Sequence, residues 1–237
     1  MKPAIRATFV PFAMVLLFSG SAVLANTGTV TQLSGTLSVR KADGSVRILS
    51  QKSTIQSGDT LNTERDSYAQ IKFSDGAQIT LKPNSAVKLD NFKFQEDKPA
   101  EDSFLYSLVK GGLRAVTGVV GKRSRDSYSL GTATATIGIR GTTLSADDCV
   151  NSRDNECSRL NPGVYVGVSD GEVIVRNNDG ELGLAAGQFG LIAPNQRPLF
   201  LSTDPGLQFT PPATFIQAVM TGSVVNSGRS LECVVSR

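Results

Sequence analysis

The sequence predicts an all-β fold, and three observations indicate this class. Apolar and polar residues alternate in short segments, which is typical of strands with one face in a core. Turn-forming residues separate these segments and include Asp-Gly pairs at 43–44, 75–76, 170–171 and 179–180. Helical periodicity is scarce, so no long amphipathic helix is expected.

The alternating segments predict strands and hairpins in chain order. Residues 68–73 and 77–81 predict a first hairpin, because an Asp-Gly turn separates two runs of period two. Its expected apolar face consists of Ile71, Phe73, Ile79 and Leu81. Pro83 and Asn84 then predict a turn into a strand at residues 86–89.

A second hairpin is predicted further along the chain. In it, residues 165–168 pair with residues 172–175 across the Asp-Gly pair at 170–171. Residues 182–184 and 189–192 have the same alternating character and are expected to add further strands.

Two polar regions are expected to lie outside the strands. Residues 91–102 predict an exposed loop, and its acids are interpreted as solvated, because catalytic acid and base roles need carboxylates with different burial. These acids are Glu96, Asp97, Glu101 and Asp102. The main β domain is predicted over residues 26–205. Residues 206–237 are expected to form a mostly irregular tail with one short helical turn at 215–220.

The first 25 residues predict an export signal. Lys2 and Arg6 precede an apolar stretch at 9–18, and small residues lead to Ala25, after which cleavage is expected. A retained membrane anchor is the alternative, but the apolar stretch is shorter than the ~20 residues of a spanning helix and contains Pro11. Cleavage leaves 237 − 25 = 212 residues and lowers the formal charge from +3 to about +1, with no membrane span expected afterwards.

The cysteines fit an oxidising compartment. Cys149 and Cys157 flank a polar, turn-forming segment, so a disulfide between them is predicted. Closing this loop is expected to stabilise the fold by about 2.6 kcal/mol in the chain-entropy model. Cys233 is then left over, to pair with a partner, to exchange with one of the other two or to remain a thiol. A metal site is the alternative, but the sequence has no histidine and no pair of C-x-x-C motifs.

No residue set predicts catalysis or a cofactor. Without histidine, Ser-His-Asp and Cys-His catalysis and HExxH zinc hydrolysis are unavailable, and the sequence has no P-loop motif. The basic cluster of Lys122, Arg123 and Arg125 is short and is followed by Asp126. It is therefore interpreted as a solvated loop, and no nucleic-acid partner is expected.

The stretch at residues 131–143 (GTATATIGIRGTT) is the most informative part of the sequence. On a strand, its side chains would divide between two faces. One face would carry Thr132, Thr134, Thr136 and Arg140, and the other Ala133, Ala135, Ile137 and Ile139. Gly138 and Gly141 are expected where a bulge, bend or close backbone approach excludes a side chain.

This stretch resembles the core motif of the FecR domain family, in which a strand ends in T-P-x-A-T-I-G-x-R-G-T. Ala133 stands where the family often has proline. Residues 68–84 (YAQIKFSDGAQITLKPN), 110–118 (KGGLRAVTG) and 163–175 (GVYVGVSDGEVIV) also resemble the family, so the likeness covers roughly residues 45–200. The positions that follow the core motif are Thr134, Ala135, Thr136, Ile137, Gly138, Arg140, Gly141 and Thr142. The resemblance implies a sheet-rich domain that winds like a short β-solenoid or roll.

The resemblance also implies a function. Complete FecR-type regulators carry a cytoplasmic segment that handles a sigma factor, a spanning helix and then the periplasmic domain. This sequence resembles only the last part, so direct sigma-factor contact is not expected. The resemblance implies a noncatalytic periplasmic or secreted module for protein interaction or envelope sensing, with an envelope protein as partner. An exposed strand edge or the threonine face is the expected docking surface.

Two other functions are left open. One is a polysaccharide-binding or carboxylate-dependent polysaccharide-active β-helix protein, which no motif supports and which the absence of tryptophan disfavours. The other is a structural component of a surface assembly.

Arg140 has two possible roles. It is either a partner-binding residue or, as favoured here, a structural residue that pairs with a buried acid and anchors the bend between Gly138 and Gly141.

Overall fold

The computed structural model describes residues 26–124, 126–151 and 157–206, together with residues 209, 211–213 and 215. The predicted export signal, Arg125, Cys233 and most of the predicted tail lie outside the described residues. Of the helical turn expected at residues 215–220, only Phe215 is described, and it is buried.

The described residues form fifteen strands, one short α-helix and two short 3-10 helices. The strands are β1 (Gly28–Ser34), β2 (Leu37–Arg40), β3 (Val46–Leu49), β4 (Thr54–Ile55), β5 (Thr60–Thr63), β6 (Tyr68–Phe73), β7 (Gln78–Leu81), β8 (Ala86–Lys93), β9 (Ser103–Val116), β10 (Tyr128–Gly131), β11 (Thr136–Asp148), β12 (Val164–Asn177), β13 (Gly180–Ala185), β14 (Phe189–Ile192) and β15 (Leu199–Leu201). The helices are α1 (Val119–Arg123) and the 3-10 helices Pro99–Glu101 and Cys157–Arg159. The all-β prediction is therefore confirmed.

All fifteen strands belong to one hydrogen-bonded sheet, which folds into two layers. Strands β9, β11 and β12 are long enough to run through both. In the first layer the order is β3-β2-β5-β8-β9-β10-β11-β12-β13, and in the second it is β4-β1-β6-β7-β9-β11-β12-β14-β15. The pairing of β9 with β10 is parallel, so the sheet is mixed. The expected solenoid or roll is not confirmed by this topology.

The core lies between the two layers. Alternate residues of nearly every strand point into it, as in β6, where Ala69, Ile71 and Phe73 are buried. Phe73 of the second layer meets Phe104 of the first, with ring centroids 4.6 Å apart, and further rings extend this contact. The aromatic cluster consists of Phe73, Phe92, Phe104, Tyr106 and Tyr128. Such edge-on ring pairs stabilise by about 1 kcal/mol each beyond their buried area.

The first predicted hairpin is confirmed. Strands β6 and β7 pair from Ala69 opposite Leu81 to Lys72 opposite Gln78, and the four residues of its expected apolar face are all buried. The turn places Gly76 at φ +85°, a conformation that favours glycine. Asn84 likewise has φ +53° in the predicted turn before β8.

The second predicted hairpin is wrong. Residues 165–168 and 172–175 belong to one continuous strand, β12, and both halves of it pair with β11. The Asp-Gly pair at 170–171 is located where β12 passes from one layer to the other, with Gly171 at φ +79°. A local turn signal here marks a bend in a long strand, because β11 bends beside it and keeps the two strands paired.

The predicted exposed loop at residues 91–102 is only partly correct. Strand β8 continues to Lys93, and the side chain of Asp102 is completely buried. Asp102 accepts a hydrogen bond from the backbone N–H of Gln95 at 2.8 Å, and the guanidinium of Arg123 lies 3.8 Å from its carboxylate. Arg123 also stacks over the Phe94 ring at 5.7 Å. The basic cluster is therefore partly structural, because one of its cations holds this loop against the end of α1.

Candidate functional site

The family-like stretch begins as a turn and becomes a strand only at Thr136. Within residues 132–135, the backbone N–H and hydroxyl of Thr132 both donate to the carbonyl oxygen of Ala135, each at 2.9 Å. The predicted strand alternation is therefore wrong for these four residues and correct from Thr136 to Arg140, where Ile137 and Ile139 are buried. Hydroxyl bonds to nearby backbone compete with strand pairing, which explains the turn.

The threonines of this stretch mainly stabilise the fold. The Thr134 hydroxyl donates to the carbonyl oxygen of Ile192 at 3.0 Å and so connects the turn between β10 and β11 to β14. The Thr142 hydroxyl donates to the carbonyl oxygen of Glu172 at 2.7 Å, and Thr142 is buried. Among the threonines of the predicted threonine face, Thr136 is exposed, whereas Thr134 is engaged within the protein, so this face offers little free hydroxyl surface for docking.

Of the two motif glycines, Gly141 has the predicted role. It has φ +57°, and the pairing of β11 with β12 shifts register between Arg140 and Thr143, which defines a bulge. Opposite it, a Cβ on Gly171 would lie 2.6 Å from the carbonyl oxygen of Gly141. Gly138 differs from the expectation, because it pairs regularly with Ser129, and a Cβ there would make only ordinary contact.

The predicted buried partner of Arg140 is wrong. The Arg140 guanidinium donates to the carboxylate of Glu172 at 3.0 Å, but the two side chains are 52% and 56% exposed. They are opposite each other on β11 and β12, so this is a cross-strand surface pair. Exposed pairs of this kind contribute about 0–1 kcal/mol.

Several buried carboxylates escaped sequence reasoning, and two of them connect distant elements of the fold. The first is Asp75, whose carboxylate accepts hydrogen bonds from the N–H of Ala77 at 3.0 Å and of Val120 at 3.3 Å. Burial raises the pKa of Asp75, and these two hydrogen bonds oppose the rise. A Cβ on Gly118 would lie 2.4 Å from this carboxylate, so the glycine permits the contact between the β6–β7 turn and the start of α1.

The second is Asp147 in β11, which forms a buried ion pair with Lys82, at the end of β7. The ammonium lies 2.7 Å from the carboxylate, and each side chain is only 9% exposed. Strand β9 lies between β7 and β11, and the ion pair crosses over its Gly112, where a Cβ would lie 2.1 Å from the carboxylate. The two residues are 65 positions apart in the sequence (147 − 82), so no local pattern indicates their pairing.

The predicted disulfide is present. Cys149 and Cys157 are bonded, with their Cα atoms 5.1 Å apart, and both are buried against Tyr165. Within the described ranges, no three or more His, Cys, Asp or Glu residues form a group able to hold a metal ion. No helix in the same part of the chain has the length and apolar character needed to cross a membrane.

The open edge of β3 is the strongest candidate for a binding surface. Among the described strands, β3 pairs only with β2, so its other edge faces solvent. Val46 is 64% exposed and Ile48 is 76% exposed, both unusually high for large apolar side chains. An unpaired edge with apolar side chains can accept a strand from another protein. We call the outer edge of Val46–Leu49 the β3 edge.

The backbone of the β3 edge is oriented for such pairing. The N–H of Lys41 donates to the carbonyl oxygen of Ser45 at 2.8 Å, so these two residues form a hydrogen-bonded pair at the end of the ladder. Hydrogen-bonded pairs alternate along antiparallel strands. Val46 and Ile48 therefore direct their N–H and carbonyl groups away from β2, towards solvent.

Comparison with known proteins finds a family match within the β domain. A family model described as FecR protein matches residues 59–174. Two crystal structures, each described as a candidate anti-sigma factor from Parabacteroides distasonis ATCC 8503, are similar at 15% identity and a TM-score of 0.45. The match covers 62% of this chain and 60% of theirs.

A further solved structure, a cell surface anchoring domain, is 28% identical over 27% of this chain and 83% of its own, with a TM-score of 0.26. No curated protein matches. The family assignment rests on the family model and on the residues that follow the core motif. The described β domain therefore contains a FecR domain at residues 59–174.

Proposed function

We propose that this protein is a noncatalytic FecR-type module of the cell envelope that binds another envelope protein by accepting one of its strands at the β3 edge. The exposed, outward-facing backbone of Val46 and Ile48 is the observation that carries the proposal. Apolar side chains on an unpaired edge favour a protein partner over a polysaccharide, because strand addition satisfies both the backbone and the apolar surface.

The proposed compartment is outside the cytoplasm, because the protein is expected to be exported. The Cys149–Cys157 disulfide is compatible with an oxidising compartment, and the predicted signal at residues 1–25 would direct the chain there. The signal that the partner transmits would reach this protein outside the cytoplasm.

Site-specific photocrosslinking tests the surface. A photoreactive residue at position 48 in the full-length protein is expected to capture one envelope protein in cells. The same residue at Val109, which is also half exposed but lies within β9, serves as the matched control. Equal capture of that protein from both positions would contradict docking at the β3 edge.

The purified partner then permits a backbone test. Ile48→Pro removes an N–H that faces solvent, so we expect the fold to persist while binding falls at least tenfold. Ile48→Lys keeps the N–H and tests the side chain alone. If the partner binds Ile48→Pro as tightly as the original protein, strand addition at this edge is wrong.

A further inference from the structure

A second surface lies on the outer face of the second layer, where the end of the described chain packs. Strand β15 forms one edge of this layer, and β6 lies several strands away from it. Phe209 and Phe215 pack against Tyr68 of β6, with ring centroids 6.4 Å and 6.0 Å away. We call the described residues between positions 204 and 215 (204–206, 209, 211–213 and 215) the C-terminal cover.

The cover does not fill the space beneath it. A cleft of about 380 Å³ remains between the cover and the strands. Asp204 and Phe209 line it from the cover, and Arg114, Asp147 and Phe189 line it from the sheet. The cleft thus combines aromatic walls with charged groups, as ligand sites generally do.

The charge of the cleft favours a carboxylate. The carboxylate of Asp147 is neutralised by Lys82 at 2.7 Å. Within the part of the chain that the structure describes, the guanidinium of Arg114 forms neither an ion pair nor a hydrogen bond. A guanidinium with free donors at the wall of a cleft is suited to a charge-assisted bond with a carboxylate.

We propose that this cleft binds an extended segment of a partner protein that carries an acidic and an aromatic side chain, and that the C-terminal cover competes for it within the same molecule. The cover supplies the argument for this occupant, since it already presents a carboxylate, Asp204, and an aromatic ring, Phe209, to the cleft. The surface is separate from the β3 edge, so either proposal can fail alone.

A synthetic peptide with the sequence of residues 204–216 and the change Phe209→Trp provides the probe. The protein has no tryptophan, so the fluorescence emission of the peptide reports its burial without background. A tethered segment competes at an effective concentration of about 1 mM, so we expect the full-length Phe209→Ala protein to bind the peptide roughly tenfold tighter than the original protein. Phe209 is only half buried, so this variant should remain folded. The full-length Asp204→Asn protein keeps both aromatic rings of the cover, Phe209 and Phe215, so its affinity for the peptide should increase less than that of Phe209→Ala.

The role of Arg114 is tested in the Phe209→Ala protein. Adding Arg114→Ala should weaken peptide binding about tenfold, whereas Arg47→Ala, which removes an exposed arginine of β3, should not. No ion pair joins Asp204 to Arg114 in the intact chain, so the expected bond forms only once the segment is untethered. A peptide that also carries Asp204→Asn should therefore bind equally with and without Arg114. Unchanged affinity after Arg114→Ala, or no binding to the Phe209→Ala protein, would overturn the proposal. A concentration-dependent dimer that Phe209→Ala abolishes would instead assign the cleft to the cover of a second copy.

Discussion

Replacing Gly171 by alanine tests whether the close approach of two bent strands determines the stability of this fold. Gly171 has φ +79°, and an added Cβ would lie 2.6 Å from the carbonyl oxygen of Gly141 and 3.0 Å from the Cα of Thr142. Both of these are backbone atoms, and β11 and β12 pair on either side of them. The clash can be relieved only if one of the strands moves.

Two terms make up the expected loss of folding stability in Gly171→Ala. A positive φ costs an alanine about 1 kcal/mol, and steric overlap in a packed region adds about 2 kcal/mol. The total of about 3 kcal/mol corresponds to a decrease in Tm of roughly 6–12 °C for a domain of this size. Gly44→Ala is the matched control, because Gly44 has φ +85° but an added Cβ meets no atom within 4 Å. Gly44→Ala should show only the cost of the positive φ, which corresponds to a decrease in Tm of roughly 2–4 °C.

Thermal and urea unfolding, monitored by circular dichroism on the Cys149–Cys157 oxidised protein, would measure both variants. The difference between them isolates the steric term, because the backbone conformation is nearly the same at the two glycines. Equal losses for Gly171→Ala and Gly44→Ala would refute the inference that close packing of β11 on β12 fixes the bend.

Three further predictions concern charged residues. Arg140→Ala should lower stability by no more than about 1 kcal/mol in urea unfolding, because its pair is exposed, and a loss above 2 kcal/mol would contradict a surface role. Lys82→Ala should cost about 3–5 kcal/mol by leaving the buried Asp147 carboxylate without its ammonium, whereas Lys82→Met combined with Asp147→Leu should recover much of that loss. The folded-state pKa of Asp75 is raised above 3.8, so the folded state binds this proton more tightly, and the Asp75 contribution to stability decreases as pH rises above that value. The free energy of unfolding of the original protein, relative to that of Asp75→Asn, should therefore be higher in acid than at neutral pH. If this difference does not change with pH, burial does not raise the pKa of the Asp75 carboxyl.

Local patterns predicted some elements correctly. The β6–β7 hairpin followed from period-two alternation on either side of an Asp-Gly turn, and all the information needed lies within fourteen residues (81 − 68 + 1). The same reasoning failed at the Asp-Gly pair of residues 170–171. Both sites have a glycine with positive φ, but at Gly171 the neighbouring strand bends as well, and the ladder continues.

The candidate surfaces depend even more on distant parts of the chain. Nothing near Val46 and Ile48 indicates that β3 lacks a second neighbour, since that follows from the strand order of the whole sheet. The partner of Arg140 could not be predicted from local sequence either, because only the register of β11 against β12 places the exposed Glu172 opposite it.

The sequence by itself determined the all-β class, the presence of a FecR domain, the first hairpin and the disulfide, since each depends on side-chain periodicity, turn chemistry or a short motif within one segment. Only the tertiary structure decided the folding of one sheet into two layers, the burial of Asp75 and of the Lys82–Asp147 pair, and the exposure of the β3 edge. These features depend on which segments meet across long sequence separations, and burial and pairing energies act only once those segments are in contact.

The family-like stretch at residues 131–143 shows both contributions. Its residue pattern indicated the FecR domain, while its hydrogen bonds in the folded protein showed that Thr134 and Thr142 stabilise the domain itself.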